Sequence, residues 1–208
     1  NGSASVLACG DQNSGLWHYD SDGWSKVADG LAGLEMNGAP VLTSKMGRDR
    51  GLRLRDLDGD GVCELIVGNE SQNAAFAYSA KGPSWSRLPF GLPEGTQIVG
   101  SDGGDSGLRF ADLDGDSRAD IVFSNAEQYS VNRFVSLAQG WSQSLVSGRR
   151  GQKSEADEIP MIVRADGTNN GAWLNFDHLW IQNEDTGNSK PDHVDRRSFA
   201  DLLDAGRQ

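Results

Sequence analysis

Basic residues, cysteine, histidine and long apolar runs are all scarce in this 208-residue chain, and each shortage removes a class of function. Lys and Arg number 19 against 30 Asp and Glu, a formal net charge of -11, and only Arg149-Arg150 and Arg196-Arg197 place two basic residues together. That balance offers no footprint for a phosphate backbone or an anionic lipid surface, so neither nucleic acid nor membrane is expected as a partner. No stretch approaches the 18 or more apolar residues of a membrane span, so no membrane insertion is expected. The two cysteines, Cys9 and Cys63, belong to no C-x-x-C pattern, which argues against a zinc ribbon and covalent haem; one disulfide or two thiols both stay open. Three histidines, His18, His178 and His193, with no G-x-S-x-G and no H-E-x-x-H, leave a thin catalytic inventory. From Asn1 onward the charged and apolar regions of a signal peptide are missing, and the chain is expected to be a processed or excised piece.

Glycine is plentiful instead, 27 residues or roughly twice its usual share, while charged residues stand at an ordinary 24%. That is a turn-rich globular composition. Within it, Gly51 to Asn69, GLRLRDLDGDGVCELIVGN, sets acidic residues two apart at Asp56, Asp58 and Asp60, with Glu64 four further on. The backbone carbonyl of Val62 can fill the step between, and Gly59 and Gly61 allow a tight turn that aims alternate groups inward. Carboxylates packed so densely repel one another unless a hard cation sits among them, so the loop reads as a Ca2+ site. An EF-hand is excluded, because its twelfth position needs a bidentate Glu and holds Val67 here.

The same stretch recurs as Gly107 to Asn125, GLRFADLDGDSRADIVFSN, at an offset of 56 with nine of nineteen positions identical. The register runs on without a gap, placing Asp105 on Asp49, Phe134 on Tyr78 and Trp141 on Trp85. Upstream, Leu16 to Val27 matches the later half of the unit at an offset of 61, setting Trp17 on Tyr78 and Trp24 on Trp85, so the chain starts partway through a repeat. Downstream, Arg164 to Trp173 reads as a decayed loop at an offset of 54, with Asp166, Thr168 and Asn170 for the three acids and Leu174 at the last position; it is expected to be metal-free. The expected organisation is repeat units over residues 1–46, 47–102 and 103–158, then a degenerate repeat or extension over 159–208.

Each unit alternates short apolar runs with turn residues: Leu65 to Val67, then Ala74 to Tyr78, a Lys81-Gly82-Pro83 turn, then Trp85 to Leu88. Such runs predict strands of four to six residues joined by hairpins. A helical period is found only near the end, at Phe199, Leu202 and Leu203 behind Ser198, which predicts one short C-terminal helix. Units of this length, unable to bury both faces alone, pack as propeller blades or as a solenoid. The fold class expected is therefore all-β, a β-propeller-like array of four-stranded blades, complete or partial.

The two loops with their flanking strands resemble the FG-GAP or VCBS repeat, the blade unit of integrin-α-like β-propellers, whose signature D-x-D-x-D-G-x-x-D-L stands here as DLDGDGVCELIV and DLDGDSRADIVF. The resemblance implies two Ca2+ sites: Asp56, Asp58, Asp60, the Val62 carbonyl and Glu64 in one, and Asp112, Asp114, Asp116, the Arg118 carbonyl and Asp120 in the other. Two departures stand out, Glu64 for the usual Asp and Ser117 for the Gly after the third Asp. The tail resembles segments that accompany such repeats in large secreted bacterial proteins.

Six tryptophans raise the idea of a sugar site, but Trp24, Trp85 and Trp141 share one repeat position and Trp17, Tyr78 and Phe134 another, which reads as blade core or blade contact. Trp173 and Trp180 fall outside the pattern beside His178, and a ligand site is sought there. The function expected is a non-catalytic, Ca2+-stabilised module of an extracytoplasmic protein (secreted, periplasmic or at the cell surface), contacting a protein or carbohydrate ligand and other domains of a longer chain. The alternative is the propeller portion of a secreted enzyme, a polysaccharide lyase or dehydrogenase, with catalytic residues partly outside this chain.

Overall fold

The computed structural model describes residues 4–10, 12–82, 84–153, 158–175 and 177–204. Pro83 of the expected Lys81–Pro83 turn lies outside them. Four antiparallel meanders follow one another along the chain. The first sheet is β1 (Ala4–Cys9), β2 (Ser14–Asp20) and β3 (Gly23–Lys26). Two short ribbons follow, β4 (Glu35–Met36) with β5 (Ala39–Pro40), and β6 (Ser44–Lys45) with β7 (Arg48–Asp49). The second sheet is β8 (Leu52–Arg55), β9 (Glu64–Gly68), β10 (Asn73–Ser79) and β11 (Ser84–Arg87). The third repeats it as β12 (Leu108–Ala111), β13 (Asp120–Ser124), β14 (Gln128–Arg133) and β15 (Gln143–Arg149). The last is β16 (Ala172–Asn175), β17 (His178–Ile181) and β18 (Asp195–Ser198), with helix α1 (Glu184–Ser189) between its second and third strands and α2 (Phe199–Asp204) after it. The architecture is the all-β, propeller-like array expected, with four strands in each central sheet and three in each terminal one.

The central strands β9 and β13 are buried along their whole length. Because side chains alternate across a strand, that burial needs a neighbour on both faces. Leu65 and Val67 enter a core shared with Leu7, Leu34 and Val41, while Ile66 between them enters the next core, with Ile121, Phe123, Phe134 and Trp141. Val122 in turn joins the last core, with Leu179, Ile181, Phe199 and Leu202. Each interior thus lies between successive sheets rather than inside one.

Glycine marks the start of the second, third and fourth sheets for a steric reason. Gly51, Gly107 and Gly171 all have positive φ, and a side chain on them would collide with the carbonyls of Gly68, Ser124 and Gln182. Their own carbonyls accept the N–H groups of those same three residues at 3.0, 3.1 and 3.0 Å. The match at Gly171 corrects the register of the last unit. Arg164 to Thr168 is the hairpin turn that Gly100 to Gly104 forms in the unit before, with Asp166 accepting the Thr168 N–H as Asp102 accepts that of Gly104. Asp166, Thr168 and Asn170 are therefore not a decayed acidic loop. That loop has no counterpart between the first and second strands of the last sheet, where Asn175 pairs with His178.

The first unit also differs from its gapless reading. Tyr19 pairs with Trp24 as Tyr78 pairs with Trp85, so Tyr19 rather than Trp17 stands at the Tyr78 position. The reason is a hairpin two residues shorter, closing at Asp20 and Gly23. Trp85 and Trp141 are core residues as expected, whereas Trp24 is exposed. Both cysteines are free thiols, Cys9 buried and Cys63 exposed. The terminal helix forms behind Ser198, whose Oγ accepts the Asp201 N–H at 3.1 Å. Helix α1 was not legible from apolar period; its signal is the capping pair Asn183 and Thr186, each bonding the other's backbone.

Two further core residues come from the acidic loops. Leu57 is fully buried in the core between the second and third sheets, and Leu113 in the one between the third and fourth. Truncating either is expected to cost about 2–5 kcal/mol by urea denaturation, against roughly 0.5 kcal/mol or less for exposed Val62→Ala. A cost for Leu57→Ala no larger than for Val62→Ala would refute the assignment.

Candidate metal centre

Each acidic loop connects the first strand of a four-stranded sheet to the second, β8 to β9 and β12 to β13. Backbone N–H groups fold it tightly around its first carboxylate. Asp56 accepts from Gly59 at 2.8 Å and Gly61 at 3.0 Å, and Asp60 from Val62 at 2.7 Å. In the second loop Asp112 accepts from Gly115 and Ser117, both at 2.8 Å, and Asp116 from Arg118 at 2.9 Å. The winding needs left-handed backbone at the fourth and sixth positions, held by Gly59 and Gly61 in one loop and by Gly115 and Ser117 in the other. Ser117, at φ 67, carries its Cβ into the region that favours glycine.

This winding gathers Asp56, Asp58 and Asp60 so that one carboxylate oxygen from each lies within 4.8 Å of the others, and does the same for Asp112, Asp114 and Asp116. Oxygens that share one Ca2+ at roughly 2.3–2.6 Å stand at most about 5 Å apart, so the spacing fits. The donor set fits too, since hard oxygen ligands suit Ca2+ rather than a soft metal. Val62 and Arg118 sit at the seventh positions, exposed, each with its N–H held by the third Asp of its loop.

Glu64 and Asp120 stand outside these trios. Both are buried, and each accepts the N–H of the loop's own leucine, Leu57 at 2.9 Å and Leu113 at 3.2 Å. Asp120 also accepts the Phe134 N–H at 2.7 Å. They fasten the loop entrance to the second strand, and the extra methylene of Glu64 still reaches the equivalent amide. Burial raises both carboxyls above their ordinary range, Asp120 to about 6, with backbone N–H groups opposing the rise and the loop aspartates adding to it. A cation among those aspartates would favour the ionised form of both.

The two loops differ in their basic neighbours. Asp114 is paired with Arg133, and Asp116 lies 3.8 Å from the Arg118 guanidinium. Arg55, beside the first trio in sequence, bonds the Leu54 carbonyl at 2.7 Å and lies over the Phe110 ring instead. Arg133 was not singled out by spacing, because it reaches the loop from β14, nineteen positions beyond Asp114.

Trp173, His178 and Trp180 do come together, on one face of the fourth sheet. The two indoles stack at 6.0 Å and 9°, His178 lies 5.7 Å from Trp180, and Arg196 covers Trp180 at 5.4 Å. His178 Nδ1 is 2.6 Å from Asp177. None of the three lines the cleft of about 960 Å3 beside α1. Three ion pairs border it, Arg150 with Glu158 at 3.2 Å, Arg164 with Glu184 at 2.7 Å and Arg197 with Asp195 at 3.2 Å.

Replacing Ser117 by glycine removes the strained Cβ and is expected to stabilise the metal-free protein by up to about 1 kcal/mol, the relief of left-handed strain less glycine's unfolded-state entropy. Chelator-treated protein compared by urea denaturation tests this, and destabilisation by Ser117→Gly would show the loop to be wound differently.

Residues 56–123 match the family model of the FG-GAP-like repeat, a span that runs from the first aspartate of one loop into the strand after the other. No curated protein and no solved structure matches the chain. The match covers both acidic loops, which occur in register at the same joint of successive antiparallel sheets, so the segment 56–123 is an FG-GAP-like repeat region.

Proposed function

We propose that this chain is a non-catalytic, Ca2+-stabilised β-propeller-type module of an extracytoplasmic protein, presenting loops for contact with a protein or carbohydrate ligand. The observation that carries the proposal is the pair of carboxylate trios at equivalent joints of two successive sheets. A bound ion supplies positive charge to three crowded carboxylates; the chain's own residues do the rest. Glu64 and Asp120 hold each loop to its strand, and Leu57 and Leu113 carry the loop into the core shared with the next sheet. Ion binding is thereby coupled to the packing of one sheet on another.

Ca2+ is abundant outside the cytoplasm, where modules with modest affinity stay loaded, and this supports an extracytoplasmic setting. At the cleft beside α1, ion pairs hold Glu158 and Asp195, which supports the non-catalytic reading, since a general acid or base needs a group free to exchange its proton.

Chelation is expected to lower the melting temperature and Ca2+ to restore it, with about 2.7 kcal/mol per site at 100 times the dissociation constant. Calorimetric titration should show Asp58→Ala and Asp114→Ala each losing one ion and retaining the other. Melting that is indifferent to both chelator and Ca2+ would contradict the proposal. Since Arg133 competes for Asp114, Arg133→Gln is expected to tighten the second site and leave the first unchanged. A weaker second site in Arg133→Gln would mean that the arginine helps to build it.

A further inference from the structure

The cleft of about 960 Å3 beside α1 belongs to an internal junction of the array. Cross-strand pairing sets Arg197 beside Leu179 and Asp195 beside Ile181, on the face that the fourth sheet packs against the third. Backbone hydrogen bonds align this junction with the one before it. The Ser124 carbonyl accepts the N–H groups of Ile162 and Val163 as the Gly68 carbonyl accepts those of Ile98 and Val99, and the backbones of Arg164 and Asn170 bond as those of Gly100 and Ser106 do.

The polar lining is a departure from that repeat. Where the earlier junction holds Gly68, Gly100 and Ser106, the later one holds Ser124, Arg164 and Asn170. Gly68 has no room for a side chain, since a Cβ would stand 2.2 Å from Leu92, whereas Ser124 Oγ lies 2.8 Å from the Pro160 carbonyl and accepts from Arg150. Asn170 Oδ1 accepts from Arg164 Nε at 2.7 Å and from Asn183 Nδ2 at 2.8 Å, which ties α1 to the floor of the cleft through its own N-cap. Polar groups cost free energy to bury unless they are bonded, so this junction gives up apolar packing that its predecessor keeps. A wall fixed in this way loses little entropy when a ligand arrives.

Three groups of the lining remain to meet a ligand. Arg164 directs Nε to Asn170 and Nη1 to Glu184 and keeps Nη2, and the Lys190 ammonium stands 3.8 Å from Asp195. The Asp185 carboxylate takes part in no hydrogen bond or ion pair among the described residues. Charge is nonetheless balanced, because Arg150, Arg164 and Arg197 each have a carboxylate within 3.2 Å and Asp185 offsets Lys190. An anion therefore finds no net charge to draw it. A hydroxyl does find its complement, since it donates one hydrogen bond and accepts two, and charged donors and acceptors side by side serve both. We propose that the cleft binds a neutral oligosaccharide, its hydroxyls bonded to Arg164, Asp185 and Lys190 and its C–H faces against Pro160 and Met161. The volume lies within the roughly 300–1,000 Å3 of small-molecule sites. The proposal rests on the carbohydrate half of the function given above, and it places that contact in the cleft rather than at Trp173 and Trp180.

The test applies the full 208-residue chain in Ca2+ to an array of neutral, uronate-bearing and sulfated oligosaccharides and follows the strongest neutral hit by calorimetric titration. Asp185→Ala and Lys190→Ala, both at exposed positions, are each expected to weaken binding at least about tenfold through the loss of a hydrogen bond to a charged group. Circular dichroism and melting verify that each variant is folded; should one unfold, Asp185→Asn or Lys190→Gln replaces it. Trp173→Ala with Trp180→Ala is expected to bind as the wild type does. Affinity for a neutral ligand should hold between about 0.1 M and about 1 M salt, over which the screening length falls from about 10 to about 3 Å. Hits confined to charged sugars, affinity that the cleft variants retain, or binding lost in the tryptophan variant instead each overturn the cleft assignment while leaving a carbohydrate-contacting module. An array without hits overturns the carbohydrate contact as well, and the response of melting to chelator and Ca2+ then tests the metal-stabilised module separately.

Discussion

A strand buried on both faces cannot belong to a free-standing sheet, and β9 and β13 are both of that kind. Glu64-Leu-Ile-Val-Gly68 sends Leu65 and Val67 one way and Ile66 the other; Asp120-Ile-Val-Phe-Ser124 does likewise with Ile121, Phe123 and Val122. From this constraint the rest follows. Sheets must be laid face to face in sequence, their cores lie at the junctions, and whatever joins first strand to second must leave both faces free. An acidic loop at the rim meets that requirement, and it contributes to the junction as well through the leucine between its first two aspartates.

The loops therefore have two separable parts. One is a polar crown of three aspartates whose mutual repulsion a cation would relieve. The other is an anchor, a buried carboxylate bonded to the leucine amide and the leucine side chain in the next core. Crowding of the crown and burial of the anchor both penalise the ionised form, most clearly at Asp120. In the account proposed, the ion relieves both at once, so that its affinity is felt as sheet-to-sheet stability rather than only as loop order.

Much of this was legible in the sequence. The 56-residue offset, the three aspartates of each loop, the glycine positions and the serine that replaces a glycine at 117 could all be read from spacing and composition. What failed was the use of constant offsets where the structure varies hairpin length. The first unit shortens one hairpin by two residues, which moves Tyr19 onto the Tyr78 position. The fourth unit deletes the acidic loop outright, and the chance run Asp166, Thr168, Asn170 in a different turn imitated it. Trp24 differs from Trp85 and Trp141 in exposure because its position is a junction position, buried where another sheet packs on that face. Arg133 was invisible because its contact with Asp114 runs between strands.

The central claim is that cation binding at the crown tightens the junction behind it. Residue-resolved hydrogen exchange with and without Ca2+ tests it most directly. The account expects slower exchange on adding Ca2+ at the Leu57 and Leu113 amides and, beyond the loops, along β9 and β13. Slowing confined to Gly59, Gly61, Gly115 and Ser117, with β9 and β13 unchanged, would contradict it.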